Sequence, residues 1–163
     1  MHITKDQLEE LEFPELLAEI APFAYSPKTA YKITQLTPFS IDEAELSLKK
    51  VAEFLSSFES DNAIPFNEYE DIEEELKLMI IENFRLENAA FIRIKSLTEQ
   101  IGRLQKFFPV YGDLFLNLNS DISSLEYRKE IIDKIDKVFN RFGEVKSEAS
   151  PILKTLRSAI SHA

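Results

Sequence analysis

The sequence predicts an all-α fold, one many-helix domain with at most a single short β-hairpin. Helix-start signals recur along the chain: Thr4 with Gln7, Phe13-Pro14, Ser26-Pro27, Ser40 with Glu43, and Ser150-Pro151. Each supplies an N-cap acceptor, a reciprocal N3 side chain or a proline at N1, where no N–H is needed. Between these signals apolar residues return every three or four positions instead of alternating. No low-complexity linker and no internal repeat divides the chain.

Taken in order, Thr4 and Gln7 form a capping box for a short helix carrying Leu8 and Leu11. Pro14 opens the next, with Leu16, Leu17 and Ile20 as its apolar stripe, and Pro22 ends or kinks it. Ser26-Pro27 starts a third helix through Ala30, Ile33 and Leu36, which breaks at Thr37-Pro38. Ser40 and Glu43 are the clearest capping box. Beyond them Ala44, Leu48, Val51, Ala52, Leu55 and Phe58 hold helical period for about five turns.

A polar loop with Pro65 leads into a brief acidic helix from Asp71 to Met79, with Ile72 and Leu76 turned inward. MIIENFRLE then reads as an extended connector or short strand. The long helix that follows runs from about Glu87 to Phe108, burying Ala90, Phe91, Ile94, Leu97, Ile101, Leu104 and Phe108. Gly102 inside it costs about 1 kcal/mol relative to Ala and signals close packing. Pro109 is expected to stop this helix. Tyr111, Leu114, Phe115 and Leu118 support one short helix, and Arg128 to Val138 another through Ile131, Ile132 and Ile135. VFNRFGEVKS reads as two extended pieces around a turn at Arg141-Phe142-Gly143, and the final helix opens at Ser150.

With 44% apolar residues the chain can bury a sizeable core, which its 13 Phe and 5 Tyr are expected to dominate. No apolar run reaches the ~18 residues of a membrane span. MHITKDQLEE lacks a cationic-then-apolar leader and the chain has no Cys, so the expected setting is a reducing cytoplasm. The net charge of −10 argues against this chain gripping DNA or RNA by itself, since non-specific affinity rests on phosphate neutralisation. ESDNAIPFNEYEDIEEE, from Glu59 to Glu75, holds eight carboxylates and no cation, and is expected to be solvated.

Chemistry has little to build on. His2 and His162 are the only histidines, so no His- or Cys-based metal site and no nucleophile–His–acid triad is assigned. Gly102, Gly112 and Gly143 are the only glycines, and no phosphate-cradling motif exists. Asp133 and Asp136 are expected to pair in solvent with Lys134 and Lys137. Arg93, Lys95, Arg103 and Lys106, and again Lys146, Lys154 and Arg157, read first as ordinary solubilising cations. No catalytic, cofactor-binding or metal-binding residue is predicted.

At its C-terminal end the sequence GEVKSEASPILKTLRSAI resembles a signature of the MutS family of DNA-processing ATPases, in its second, recombination-suppressing branch. Gly143, Ala149, Ser150, Pro151, Leu153, Leu156 and Arg157 carry that signature. LEFPELLAEIAPFA, LTPF with SIDEAELSLKKVAEFL, and IPFNEYEDIEEELKLMIIENFRLENAAFIRI resemble earlier pieces of the branch in the same order. The resemblance implies a helical core domain over residues 1–149 and the start of a lever helix over 150–163, cut where the lever begins. It implies a non-catalytic scaffold that couples the ATPase to a DNA clamp. Lys154 and Arg157 are the candidates for weak contacts to a DNA backbone. The parent would bind ATP and Mg and form a homodimer that acts on DNA mismatches, on recombination junctions or on stalled ribosomes, and this chain itself would hold no cofactor. The partners implied are the remaining lever, clamp and ATPase, with no membrane. The alternative from another class is a stand-alone helical protein-interaction module.

Overall fold

In the computed structural model, residues 4–67 and 69–161 are described. His2 and His162 lie outside them. Their α-helices are α1 (Lys5–Glu10), α2 (Phe13–Ile20), α3 (Pro27–Thr34), α4 (Ile41–Phe58), α5 (Glu73–Met79), α6 (Asn88–Tyr111), α7 (Leu116–Ile122), α8 (Lys129–Val138) and α9 (Pro151–Ser161). Short 3-10 turns stand at Ala21–Phe23, Gly112–Leu114 and Ser147–Ala149. The expected all-α architecture is the one observed. The expected hairpin reduces to a single antiparallel bridge between Phe139 and Val145.

Local start signals translate directly into structure. Both capping boxes form, with Thr4 and Gln7 bonded reciprocally, and Ser40 with Glu43. Ser26 accepts from the Thr29 N–H at 3.1 Å and heads α3. Pro22 sits in the 3-10 turn that ends α2.

α6 is the spine. At 24 residues it spans about 36 Å, and its two halves feed two hydrophobic clusters. Its C-terminal half packs Leu104, Phe107 and Phe108 with Ile64, Phe115 and Phe54. Its N-terminal half packs Phe91, Ile92 and Ile94 with Ile135 from α8, with Phe139 just past its end, and with Val145. The α1–α3 lobe joins them through the Tyr25–Phe66 ring contact at 5.3 Å and the Lys28–Glu73 ion pair. Gly102 does mark a close approach. A Cβ there would lie 2.6 Å from the Tyr127 ring.

Several expectations are overturned. Pro109 does not stop α6, which continues to Tyr111. Its ring removes one bond near the helix end, while the Gly112 N–H still reaches the Phe108 carbonyl. MIIENFRLE forms no strand. It turns through Asn83, at φ +62°, with Ile80 and Ile81 exposed. On α5 Leu76 faces solvent and Glu75 is buried, because Glu75 accepts from Arg93 at Nε (2.8 Å) and Nη2. That same bond holds the Glu75 carboxyl below its ordinary range. The stretch from Glu59 to Glu75 is therefore not simply solvated. Asp136 pairs with Lys95 on α6 at 2.5 Å, across the α6–α8 interface, instead of with its helix neighbours. Phe108, Phe115 and Phe139 are buried, but Phe23, Phe39, Phe58, Phe84 and Phe142 are exposed, so phenylalanine does not dominate the core as a class.

The largest departure concerns α4. Its apolar stripe holds helical period as read from the sequence, yet Leu48, Val51, Leu55 and Phe58 are 68%, 54%, 58% and 62% exposed, as is Ile41 at the helix start at 78%. The inward face carries Lys50, Glu53, Phe54 and Ser57 instead. Lys50 pairs with Asp121 at 2.7 Å. Glu53 accepts from the backbone N–H groups of Asn117 and Leu118 at 3.0 Å, and from the Asn117 side-chain amide at 2.5 Å. Phe115, the residue before α7, gives no side-chain cap. Glu53 fills that role from 62 residues upstream of it.

Burial works to raise the Glu53 pKa, but the Asn117 and Leu118 hydrogen bonds, with Lys50 nearby, outweigh it and leave it lowered. A carboxylate with a lowered folded pKa contributes stability above its unfolded pKa, and that contribution is lost as pH falls through the folded value. Glu53→Ala is expected to cost about 1–2 kcal/mol at neutral pH, read as a lower Tm in thermal melts by circular dichroism. Glu53→Gln should also lose less stability than the parent chain on acidification from neutral pH.

Candidate functional site

The residues singled out in the sequence come together in the turn between α8 and α9. Asn140 organises it. Its side-chain Oδ1 accepts from the N–H groups of Phe142 (2.8 Å) and Glu144 (3.0 Å), and its Nδ2 donates to Glu144 at 2.9 Å. Its backbone N–H meets the Glu144 carbonyl at 2.9 Å, and the Lys146 N–H meets Val138 at 2.8 Å. These bonds flank the Phe139–Val145 bridge and make the reversal rigid. Gly143 adopts φ +79°, the left-handed region, and a Cβ there would come 3.2 Å from Ile92 Cγ1 on α6. The N-R-F-G spelling was the signal for Asn140, since Asn supports its own backbone two residues on.

Past the bridge, the Ser147–Ala149 turn delivers the chain to α9. Ala149 closes that turn through its N–H to the Lys146 carbonyl at 3.1 Å. Ser150 is extended at φ −150°, ψ 140° and accepts from the Leu153 N–H at 3.4 Å, with Pro151 as the first helical residue. Arg157 reaches back to donate to the Val145 carbonyl at 2.8 Å and the Ser147 hydroxyl at 3.1 Å. Its guanidinium thus fixes the angle at which α9 leaves the turn. Leu153 is half-buried, whereas Ile152, Leu156, Ile160 and Lys154 face solvent.

The turn is held together by its own hydrogen bonds. Its polar groups are spent on backbone, and Glu144 and Glu148 sit beside the cations Lys146, Lys154 and Arg157, so the local field is mixed. Among the described residues no group of three or more His, Asp or Glu is placed to hold a metal ion. The carboxylates of Glu43, Glu53 and Glu75 all shift downward, which keeps them ionised as acceptors. A cleft of about 270 Å³ opens elsewhere, between Phe23 and Tyr25 of the N-terminal lobe and Phe66 and Tyr69, with an almost wholly apolar lining. Among the described residues no helix is long and apolar enough to cross a membrane.

What fold and site define is a helical domain with a braced exit for its last helix and large uncovered apolar faces. Its accessible surface is 12754 Å², against about 8,300 Å² expected for a globular monomer of this mass. Comparison with characterised proteins finds the endonuclease MutS2 of Thermotoga maritima, 26% identical over 153 residues. That alignment covers 94% of this chain and 20% of the relative, so the chain spans about one fifth of the length of the protein it matches. No protein-family model matches, and no solved structure matches.

Replacing Gly143 tests the turn. Gly143→Ala is expected to cost about 1–2 kcal/mol, because it combines a left-handed φ with a tight contact to Ile92. Gly143→Asn should cost less, since Asn tolerates that backbone conformation. Urea denaturation of the two variants checks both the loss and the order.

Proposed function

We propose that this chain acts as a non-catalytic helical scaffold of a MutS-like protein. The observation that carries the reading is the similarity to MutS2, which runs along 94% of this chain while spanning 20% of the relative. In this reading residues 1–149 are a core and α9 begins a lever that leaves it. The braced turn supports the same idea. A lever transmits movement only if its root cannot swivel, and Asn140, Gly143 and Arg157 fix that root through backbone contacts.

The remaining elements of the proposal follow from the likeness. The parent protein would be a cytoplasmic ATPase, with ATP and Mg bound outside this chain. It would act as a homodimer on DNA in mismatch repair or the suppression of recombination. The chain itself would perform no catalysis and hold no cofactor. Lys154 and Arg157 would touch the DNA backbone only weakly, and Arg157 is already engaged with Val145 and Ser147. A second reading is a stand-alone interaction module, which the uncovered stripe on α4 favours.

An antibody raised against this chain separates the two. The scaffold reading expects a native polypeptide several times larger than 18.8 kDa, and a product of that size or smaller sinks it. The isolated chain should also bind duplex or junction DNA no tighter than about micromolar, because its net charge is −10. Sub-micromolar, salt-sensitive binding by fluorescence anisotropy contradicts the scaffold role.

A further inference from the structure

The cleft between the N-terminal lobe and the chain after α4 is built from aromatic carbon. Phe23 and Tyr25 stand on one wall, Phe66 and Tyr69 on the other, with Ile20 and Ile33 completing the lining. Phe66 meets three rings: Tyr25 at 5.3 Å, Tyr69 edge-on at 6.3 Å, and Phe54 edge-on at 6.3 Å. Phe54 packs in turn on the core cluster of Ile64 and Phe108, so the cleft rests on the fold. The opposite wall is fixed by buried Ser26, which caps α3, and the Lys28–Glu73 ion pair ties it across. Thr29 brings the one aliphatic hydroxyl to the lining, and its Oγ1 is already hydrogen-bonded to Ser26 Oγ at 2.9 Å. Among the described residues no charged side chain lines the cleft.

Its surroundings have a sign. Residues 12–34 and 59–75, the stretches that supply most of the two walls, hold eleven carboxylates against Lys28 and Lys32. They carry nine of the chain's ten excess negative charges. Lys28 is paired with Glu73. Arg93, in the recess that adjoins the cleft at Tyr25 and Tyr69, is bonded to Glu75 and lies 3.8 Å from Glu70. Aromatic faces attract a cation through their quadrupole, and the acidic walls add attraction at longer range while repelling an anion. The lining then decides which cation. An ammonium bearing N–H groups would give up its water here and find no acceptor. A quaternary ammonium has no N–H to satisfy and presents only methyl groups to the rings.

We propose that this cleft binds a small quaternary ammonium compound free in solution, its trimethylammonium group seated on the rings of Tyr25, Phe66 and Tyr69. The inference goes beyond the MutS-like reading and does not depend on it. Size agrees with charge. A volume of about 270 Å³ lies just below the roughly 300–1,000 Å³ of sites for drug-sized ligands, so it suits a headgroup on a short body. Phe23 and Tyr25 are exposed at the mouth, which leaves the site partly wet. Cation–ring attraction is modest under those conditions, and the dissociation constant is expected in the millimolar range.

Titration of the 163-residue chain, followed on its Tyr and Phe ring resonances by NMR, tests this with three probes. Choline is expected to bind saturably. Its uncharged isostere 3,3-dimethylbutan-1-ol should bind at least about 5-fold more weakly, since it keeps the shape and loses the cation–ring attraction. Ethanolamine, whose ammonium keeps its N–H donors, should not bind measurably. Tyr25→Leu preserves an apolar wall without the ring. It should weaken choline at least about 5-fold and leave the isostere unchanged, while Tyr25→Phe retains choline. Phe23→Leu should act in the same direction as Tyr25→Leu. Both positions are exposed, so circular dichroism should show every variant folded. No saturable choline binding up to roughly 50 mM overturns the proposal. So does an isostere that binds as well as choline, or choline binding undiminished in both leucine variants. Equal binding of ethanolamine reduces the effect to ion exchange on an acidic surface and overturns it. Capture of the chain by phosphatidylcholine vesicles without binding of free choline overturns it in favour of a lipid surface.

Discussion

One helix serving two hydrophobic clusters is the constraint on which the other elements depend. α6 presents Leu104, Phe107 and Phe108 to one cluster and Phe91, Ile92 and Ile94 to the other. Each shorter helix is placed by which half of α6 it covers. α7 and the 54–66 region attach at the C-terminal half, while α8 and the bridged turn around Gly143 attach at the N-terminal half. Because no isolated helix of 7–10 residues is stable in water, α5, α7 and α8 exist through this docking. Movement of α6 would disturb both clusters at once, which is why the chain can position α9 from a turn that rests on Ile92 of that same helix.

Polar groups supply the geometry that apolar packing leaves loose. Glu53 caps α7 from α4, Glu75 anchors α5 to Arg93 of α6, and Gln105 closes α7 by donating to the carbonyls of Ile122 (3.1 Å) and Leu125 (2.7 Å). Gln100, almost fully buried, ties α6 to the Pro65 carbonyl at 2.6 Å and accepts from Arg103. Hydrophobic contact is non-directional. These bonds each require one register, so they select a single arrangement among several that would bury similar area. Among the described residues every buried side-chain nitrogen and oxygen has a partner, as a fold that relies on them must arrange.

What the sequence made legible was whatever is decided within one turn of helix. The capping boxes at Thr4 and Ser40, the Ser26-Pro27 and Ser150-Pro151 starts, and the Gly143 turn are local events, and all of them form. Illegible were the events decided by distant partners. Periodicity located the stripe on α4 but not the direction it faces, since that depends on Glu53 finding the bare N-terminus of α7. Leu76 and Glu75 exchanged places because Arg93, eighteen residues on, outcompetes a leucine for the buried position. Pro109 was misread for a related reason. Its penalty is fixed, but the packing of Phe108 and Phe115 on either side is enough to hold the helix through it. The signature before α9 was visible as a string, whereas Asn140 and Ile92, which give the turn its rigidity, were visible only in three dimensions.

Surface area links these observations to function. A globular chain of this mass would expose about 8,300 Å², and this one exposes 12754 Å². The surplus is apolar in part, lying on α4, on α9 and on the turn at Ile80 and Ile81. Scattered exposed leucines need no explanation, but stripes that keep helical spacing do. An enzyme concentrates its unusual chemistry in a desolvated cleft with shifted acids and bases. Here the shifted carboxylates are all held ionised as acceptors that join elements, and the unusual feature is uncovered surface on rigid helices. In the proposed scaffold reading, such a molecule works by being held against something else. The braced root of α9 and the exposed stripe of α4 are two separate places for that, and they point away from the elements that hold them.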